Sequence, residues 1–131
     1  MLRKAFCLLT LGLVLFAGGC SSSDDENLPN LTGTWKMVTS GAYNFDLILT
    51  QNGATISGTM VRTNGTEPTD TVTGTVDASN TATFTRVRTG TGGWTQTYVG
   101  VVTTTGGIMS MNGTYTGTQF TGAYLWQATK S

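Results

Sequence analysis

Histidine is absent from this 131-residue chain, cysteine and proline occur twice each, and charged side chains make up 11% of it. Each shortage excludes something. Without histidine, the commonest acid–base and nucleophilic arrangements lack their base, and nothing matches the ligand spacing of a zinc site. Seven basic residues balance seven acidic ones, so there is no basic field to hold nucleic acid or an anionic surface. One long apolar run exists, "AFCLLTLGLVLFAGG" at residues 5–19, and it is short of the roughly 20 residues of a membrane span. Outside that run no segment keeps a helical period. Glu67 and Asp70, with Asp46, are the one imaginable carboxylate pair; flanking Pro68, they read as a solvated loop. The chain therefore reads as a non-enzyme without metal or cofactor.

What is present divides into three parts. Arg3 and Lys4 precede the apolar run, in the layout of a secretory signal peptide. Its ending, "FAGGC", resembles the lipobox of bacterial lipoproteins, with Ala17 where leucine is usual. That resemblance implies cleavage before Cys20 and lipidation, palmitate included, of Cys20 itself. An ordinary secreted protein cut nearby is the alternative. Cys7 leaves with the signal, so Cys20 remains alone, no internal disulfide is possible, and acylation accounts for the odd thiol. The expected division is a signal peptide at 1–19, a lipidated cysteine and flexible acidic tether at 20–30, and one domain at 31–131. Ser21 after the cysteine, by resemblance to lipoprotein sorting patterns, points to the outer membrane of the cell envelope. The acidic run at Asp24–Glu26 resembles a surface-export tag or is a plain solvated spacer.

The remaining hundred or so residues are rich in glycine and threonine and alternate with period two. Eight strands are expected: Leu31–Thr39, Phe45–Gln51, Ala54–Arg62, Thr69–Asp77, Thr81–Arg88, Trp94–Thr103, Ile108–Thr116 and Phe120–Thr129. Asn52-Gly53 is the strongest hairpin signal. An apolar–polar–Gly–polar–apolar pentad recurs as "LTGTW", "ISGTM", "VTGTV", "MNGTY" and "FTGAY", and "YVGVV" is close to it. Successive strand side chains face opposite sides. One parity therefore collects the apolar ends and the glycines, and the other collects the threonines. Glycine weakens a strand unless the backbone must bend or approach something closely, and a small barrel demands such coiling. The expectation is all-β: an eight-stranded antiparallel up-and-down (meander) barrel, with a two-sheet sandwich as the alternative. Trp35, Met37, Phe45, Leu47, Leu49, Phe84, Tyr98, Met109, Tyr124 and Trp126 fall on the inner parity. A barrel that crosses a membrane is apolar outside; this pattern is the reverse, so the membrane would be reached through the N-terminal lipid anchor.

A "GTW" opening on an eight-stranded, Gly- and Thr-rich meander resembles the calycins, the lipocalin- and avidin-like barrels. "LTGTW" followed one hairpin later by "ISGTM" is similar to the avidin pattern. The resemblance implies a barrel that binds a small hydrophobic or amphipathic molecule inside. Met37 stands where the avidin family has a polar residue that holds biotin, and Met60 where it has a tyrosine, so no biotin residue is carried over.

Strand direction locates a mouth. The loops after the first, third, fifth and seventh strands share one rim, and "GAYN", "TNGTEP" and "TGTGG" are the longer ones. Arg62, Arg86 and Arg88 end strands at that rim, and Trp94 begins one. Arginine forks pair with carboxylate or phosphate. With Trp35, Tyr98 and Tyr124 on the inner parity, these residues form the expected ligand set for a small hydrophobic or anionic amphipathic molecule. Two alternatives stay open: arginines that merely reach solvent, and a barrel filled by its own side chains that acts as a structural or surface interaction module. Val38, Ile48 and Leu125, and separately Val99 and Val101, are outward apolar residues suited to such contacts. The tether enters at the opposite, tighter rim, so the mouth faces away from the membrane. The oligomeric state has no sequence signal.

Overall fold

A computed structural model describes residues 27–131; the expected signal peptide and Cys20 lie outside the described residues. Eight strands follow one another: β1 (Gly33–Thr39), β2 (Asn44–Asn52), β3 (Thr55–Arg62), β4 (Asp70–Val76), β5 (Thr81–Arg88), β6 (Trp94–Thr105), β7 (Ile108–Gly117) and β8 (Tyr124–Lys130). Each pairs antiparallel with its sequence neighbours. β1 also pairs with β8, from Trp35 opposite Lys130 to Thr39 opposite Trp126, so the sheet closes into the expected meander barrel.

Alternation builds the wall. The inward positions of β1 and β2, such as Trp35, Met37, Leu47 and Leu49, are buried, and Lys36, Val38, Ile48 and Thr50 between them are exposed. The glycines on this parity have a more specific cause than relief between side chains. A Cβ on Gly58 would lie 1.8 Å from the Ile48 carbonyl oxygen, and one on Gly113 would lie 1.8 Å from that of Val99. The neighbouring strand's backbone thus occupies the space a side chain would need. Leu49 and Val72 flank Gly58 in register, and Trp126 stands opposite Gly113. Small beside large is how a narrow barrel fills its taper.

The last pentad is the exception. "FTGAY" does not form a strand, and β8 begins at Tyr124 rather than Phe120. Gly122 has φ +86°, a left-handed conformation that a strand cannot carry. The chain at 118–123 is a loop instead, and Phe120 turns in over the rim to pack edge-on against Tyr115 and Tyr124.

The two ends of the barrel differ. Leu31 plugs the tight end: it is fully buried, its N–H donates to Gln51 Oε1 at 2.7 Å, and its carbonyl accepts the Trp35 indole N–H at 2.9 Å. Ile56, Val76, Ala82, Val102, Met111 and Ala128 fill the same end. The lower barrel is therefore packed by its own side chains. Among the described residues, the buried polar and charged side chains, Thr39, Asp70, Arg86 and Gln96, all belong to the other end.

Candidate ligand site at the open mouth

Four loops, 40–43, 63–69, 89–93 and 118–123, surround the open end. Thr39 ends β1, Asp70 begins β4, Arg86 and Arg88 lie at the end of β5, and Trp94 and Gln96 begin β6. Register makes them neighbours: Arg86 stands opposite Gln96, and Arg88 opposite Trp94.

An ion cluster ties this layer together. Asp70, 2% exposed, accepts Arg86 Nε at 2.7 Å on Oδ2, and accepts Arg88 Nε at 2.8 Å on Oδ1 and Arg88 Nη2 at 2.8 Å on Oδ2. Glu67 bridges on the loop side, taking Arg62 Nη1 on Oε2 and Arg88 Nη2 on Oε1 at 2.6 and 3.1 Å. The two carboxylates read from sequence as a solvated loop are thus partners of all three rim arginines. Asp70 shares the inward parity of Val72, and burying a guanidinium requires a counter-charge. Burial raises the Glu67 carboxyl, but hydrogen bonds and charge from Arg62 and Arg88 outweigh it and hold the group below its ordinary value. The Asp70 hydrogen bond, against burial, pushes the Arg88 guanidinium still higher.

The guanidiniums also lie on rings. Arg86 sits 4.6 Å from the Phe45 centroid and 4.9 Å from Trp94; Arg88 sits 4.6 Å from Trp94. Their faces are therefore covered and their N–H edges remain for acceptors. One edge is incompletely used. Arg86 Nη2 is 2.7 Å from Asp70 Oδ2 yet makes no hydrogen bond among the described residues. The ion-pair attraction needs only distance, whereas the bond needs an N–H aimed at the oxygen. Thr39 Oγ1, also buried, has no partner among the described residues either. Gln96 Oε1 accepts both Tyr98 O–H at 2.7 Å and Arg86 Nη1 at 3.3 Å. The amide is thereby oriented with Nε2 turned away from both donors, and Nε2 donates to no described residue.

Below this polar layer, one inward step deeper in the barrel, runs an aromatic ladder across β5, β6 and β7. Phe84 stacks on Tyr98 at 5.1 Å, and Tyr98 on Tyr115 at 4.8 Å, in direct cross-strand register. Such pairs add about 0.5–1.5 kcal/mol each beyond the area they bury. Burial pushes the Tyr98 phenol up to about 12, with Arg86 pulling the other way. Between ladder, ion cluster and loops lies a cavity of about 450 Å³, lined among others by Thr39, Phe45, Arg86, Trp94, Gln96 and Tyr115.

Of the residues singled out in the sequence, Arg86, Arg88, Trp94, Tyr98 and Tyr124 line this cup. Arg62 does not; it stacks on Tyr43 at 4.2 Å and holds Glu67 from outside. Trp35 does not either, being fully buried near the tight end. Its early position in β1 places it deep, a consequence of strand direction that parity alone does not convey. Glu67, Gln96, Thr39 and Phe120 were not singled out as binding residues. Parity marks Thr39 and Gln96 as inward polar residues, whereas the loop residues Glu67 and Phe120 carry no periodic signal.

The outer face carries its own feature. Val99, Thr114 and Leu125 form one cross-strand row, and Val101, Asn112, Gln127 and Val38 form the next. The two outward apolar groups noted in the sequence are thereby joined across β6 to β1, with Leu125 65% exposed. Ile48 stands apart, opposite Thr34.

Among solved structures the chain is similar to shwanavidin. The apo form of shwanavidin gives a TM-score of 0.56 at 10% identity, covering 77% of this chain and 100% of that one. A low-affinity mutant of shwanavidin gives 0.50 at 13% identity, covering 79% and 98%. Identity this low establishes a shared avidin-like, calycin-type barrel and no more. No family model matches the chain, and no curated protein does.

Proposed function

We propose that this protein is a non-catalytic binding barrel of the cell envelope, held to the outer membrane by a lipid on Cys20, and that it takes a small amphipathic molecule into its open mouth. The observation that carries the reading is the segregation of inward side chains. The lower barrel is filled and apolar, while the mouth leaves about 450 Å³ between stacked rings and buried polar groups. A ligand's apolar body would lie against Tyr115, Trp94 and Phe120, with its acceptor end toward Arg86, Arg88 and Gln96. Such a mixture of aromatic walls and few convergent polar groups is the usual composition of a small-molecule site. Shwanavidin, with its apo form and its low-affinity mutant, is a protein with a ligand, and the shared fold makes a barrel of that use a natural precedent. The signal-like start and "FAGGC" support the anchor.

Native mass spectrometry of protein purified from its own host tests both parts. The expected result is a lipid-modified Cys20 and a small molecule that Trp94→Ala loses. An unmodified Cys20 overturns the anchor, and a bare wild-type barrel that also takes up neither 2-naphthamide nor 2-naphthoate overturns the binding function. The outer row through Val99, Leu125 and Val38 supports a second reading, an envelope interaction module, and it is compatible with the first because cup and row open to different sides.

A further inference from the structure

Resting on the binding function just proposed, we infer that Glu67 is a resident stand-in for the ligand's own carboxylate. The cup takes a flat apolar molecule bearing a carboxylate, and that carboxylate displaces Glu67 Oε1 from the Arg86–Arg88 pair.

The two carboxylates of the cluster are built differently. Asp70 is on a strand, buried, and grips both arginines through their Nε atoms. Glu67 is on the 63–69 loop, has a third of its side chain exposed, and forms part of the cup wall. Among the described residues, the backbone from Gly65 to Thr69 takes part in one hydrogen bond outside strand pairing, a 3.4 Å contact from Arg88 to the Pro68 carbonyl. Asp70 is thus the fixed counter-ion, and Glu67 is the one that can move.

The donors are also unevenly served. Arg88 Nη2 has two protons but three acceptors, Asp70 Oδ2, Glu67 Oε1 and the Pro68 carbonyl at 2.8, 3.1 and 3.4 Å. Arg86 Nη2 has none with bonding geometry, and Glu67 Oε1 is 3.9 Å away from it. A carboxylate entering from the cup side, accepting from Arg86 Nη2 and turning Glu67 Oε1 away from Arg88 Nη2, would relieve both conditions at once. Charge agrees: three arginines against Glu67 and Asp70 leave one positive charge at the mouth, which a single monoanion neutralises. Arg62, outside the cup, bonds the other oxygen of Glu67 at 2.6 Å and keeps it when Oε1 lets go.

The test compares 2-naphthoate with 2-naphthamide, equal in ring and shape but differing in charge, on the full chain and on Glu67→Gln by calorimetry. Wild type should prefer naphthoate. Glu67→Gln should tighten naphthoate roughly tenfold, the worth of about one charge-assisted hydrogen bond, and leave naphthamide within about twofold. A variant that binds naphthoate no better, or both probes equally better, overturns the assignment of Glu67. If naphthamide still enters the cup in that case, the binding function stands and this inference alone falls. If neither probe binds either protein, both fall. A thermal melt of Glu67→Gln checks folding, which a residue this exposed should leave intact.

Discussion

Replacing Asp70 by asparagine removes one charge and almost no volume. The carboxylate accepts three hydrogen bonds, one from Arg86 Nε and two from Arg88, at 2.7–2.8 Å. An amide with its oxygen in the Oδ2 position keeps the bonds from Arg86 Nε and Arg88 Nη2 but turns its own N–H groups toward Arg88 Nε. One charge-assisted bond is therefore lost, at roughly 1.5–3 kcal/mol, and both guanidiniums lose the charge opposite them. Arg86, 3% exposed, keeps its charge with Glu67 Oε1 no nearer than 3.9 Å. Breaking a buried pair from one side costs about 3–5 kcal/mol, the stranded charge adding to the lost bond. For a domain of this size the melting temperature should fall by about 12 °C or more. Urea unfolding followed by tryptophan fluorescence and far-ultraviolet dichroism would measure it. Adding Arg86→Met to the variant should return a large share of the loss, because the stranded charge goes with it. A loss below about 1 kcal/mol for Asp70→Asn, or strictly additive losses in the double variant, would refute the picture of one coupled buried pair.

Two further outcomes follow from the barrel interior. Gly58→Ala and Gly113→Ala should each destabilise by about 3 kcal/mol, because the new Cβ meets the Ile48 or Val99 carbonyl at 1.8 Å and the neighbouring strand must shift; unchanged melts would show that the strands are not so close. At alkaline pH the native state keeps the Tyr98 proton that the unfolded chain loses, since its pKa rises from 10.0 to about 12. Stability should be full below pH 10 and drop by up to about 3 kcal/mol as pH climbs toward 12. Tyr98→Phe should flatten that decline in a series of urea titrations, and an unchanged slope would mean the phenol is not the group responsible.

The site shows how depth, parity and pairing differ as kinds of information. Parity is local: two residues apart on a strand means the same face, so the inward rings and the inward Thr39, Asp70, Arg86 and Gln96 are readable from the chain. Depth needs only strand direction in addition, and it separates the mouth, where Trp94 stands, from the tight end, where Trp35 is buried. "FTGAY" misleads because its composition matches a strand while the φ of Gly122 does not, and composition carries no dihedral angle. Glu67 escapes because a loop has no period.

The sequence alone determined that alternate residues face one interior and that arginines end strands at one rim. These follow from side-chain alternation and strand direction, which act over a few residues. The tertiary structure alone decided that Asp70 and Glu67 neutralise those arginines unequally, that Phe120 folds over the rim, and that a cup remains above a filled barrel. Those outcomes depend on register and closure between strands and loops far apart in the chain, where one residue of slip would turn every partner to the other face.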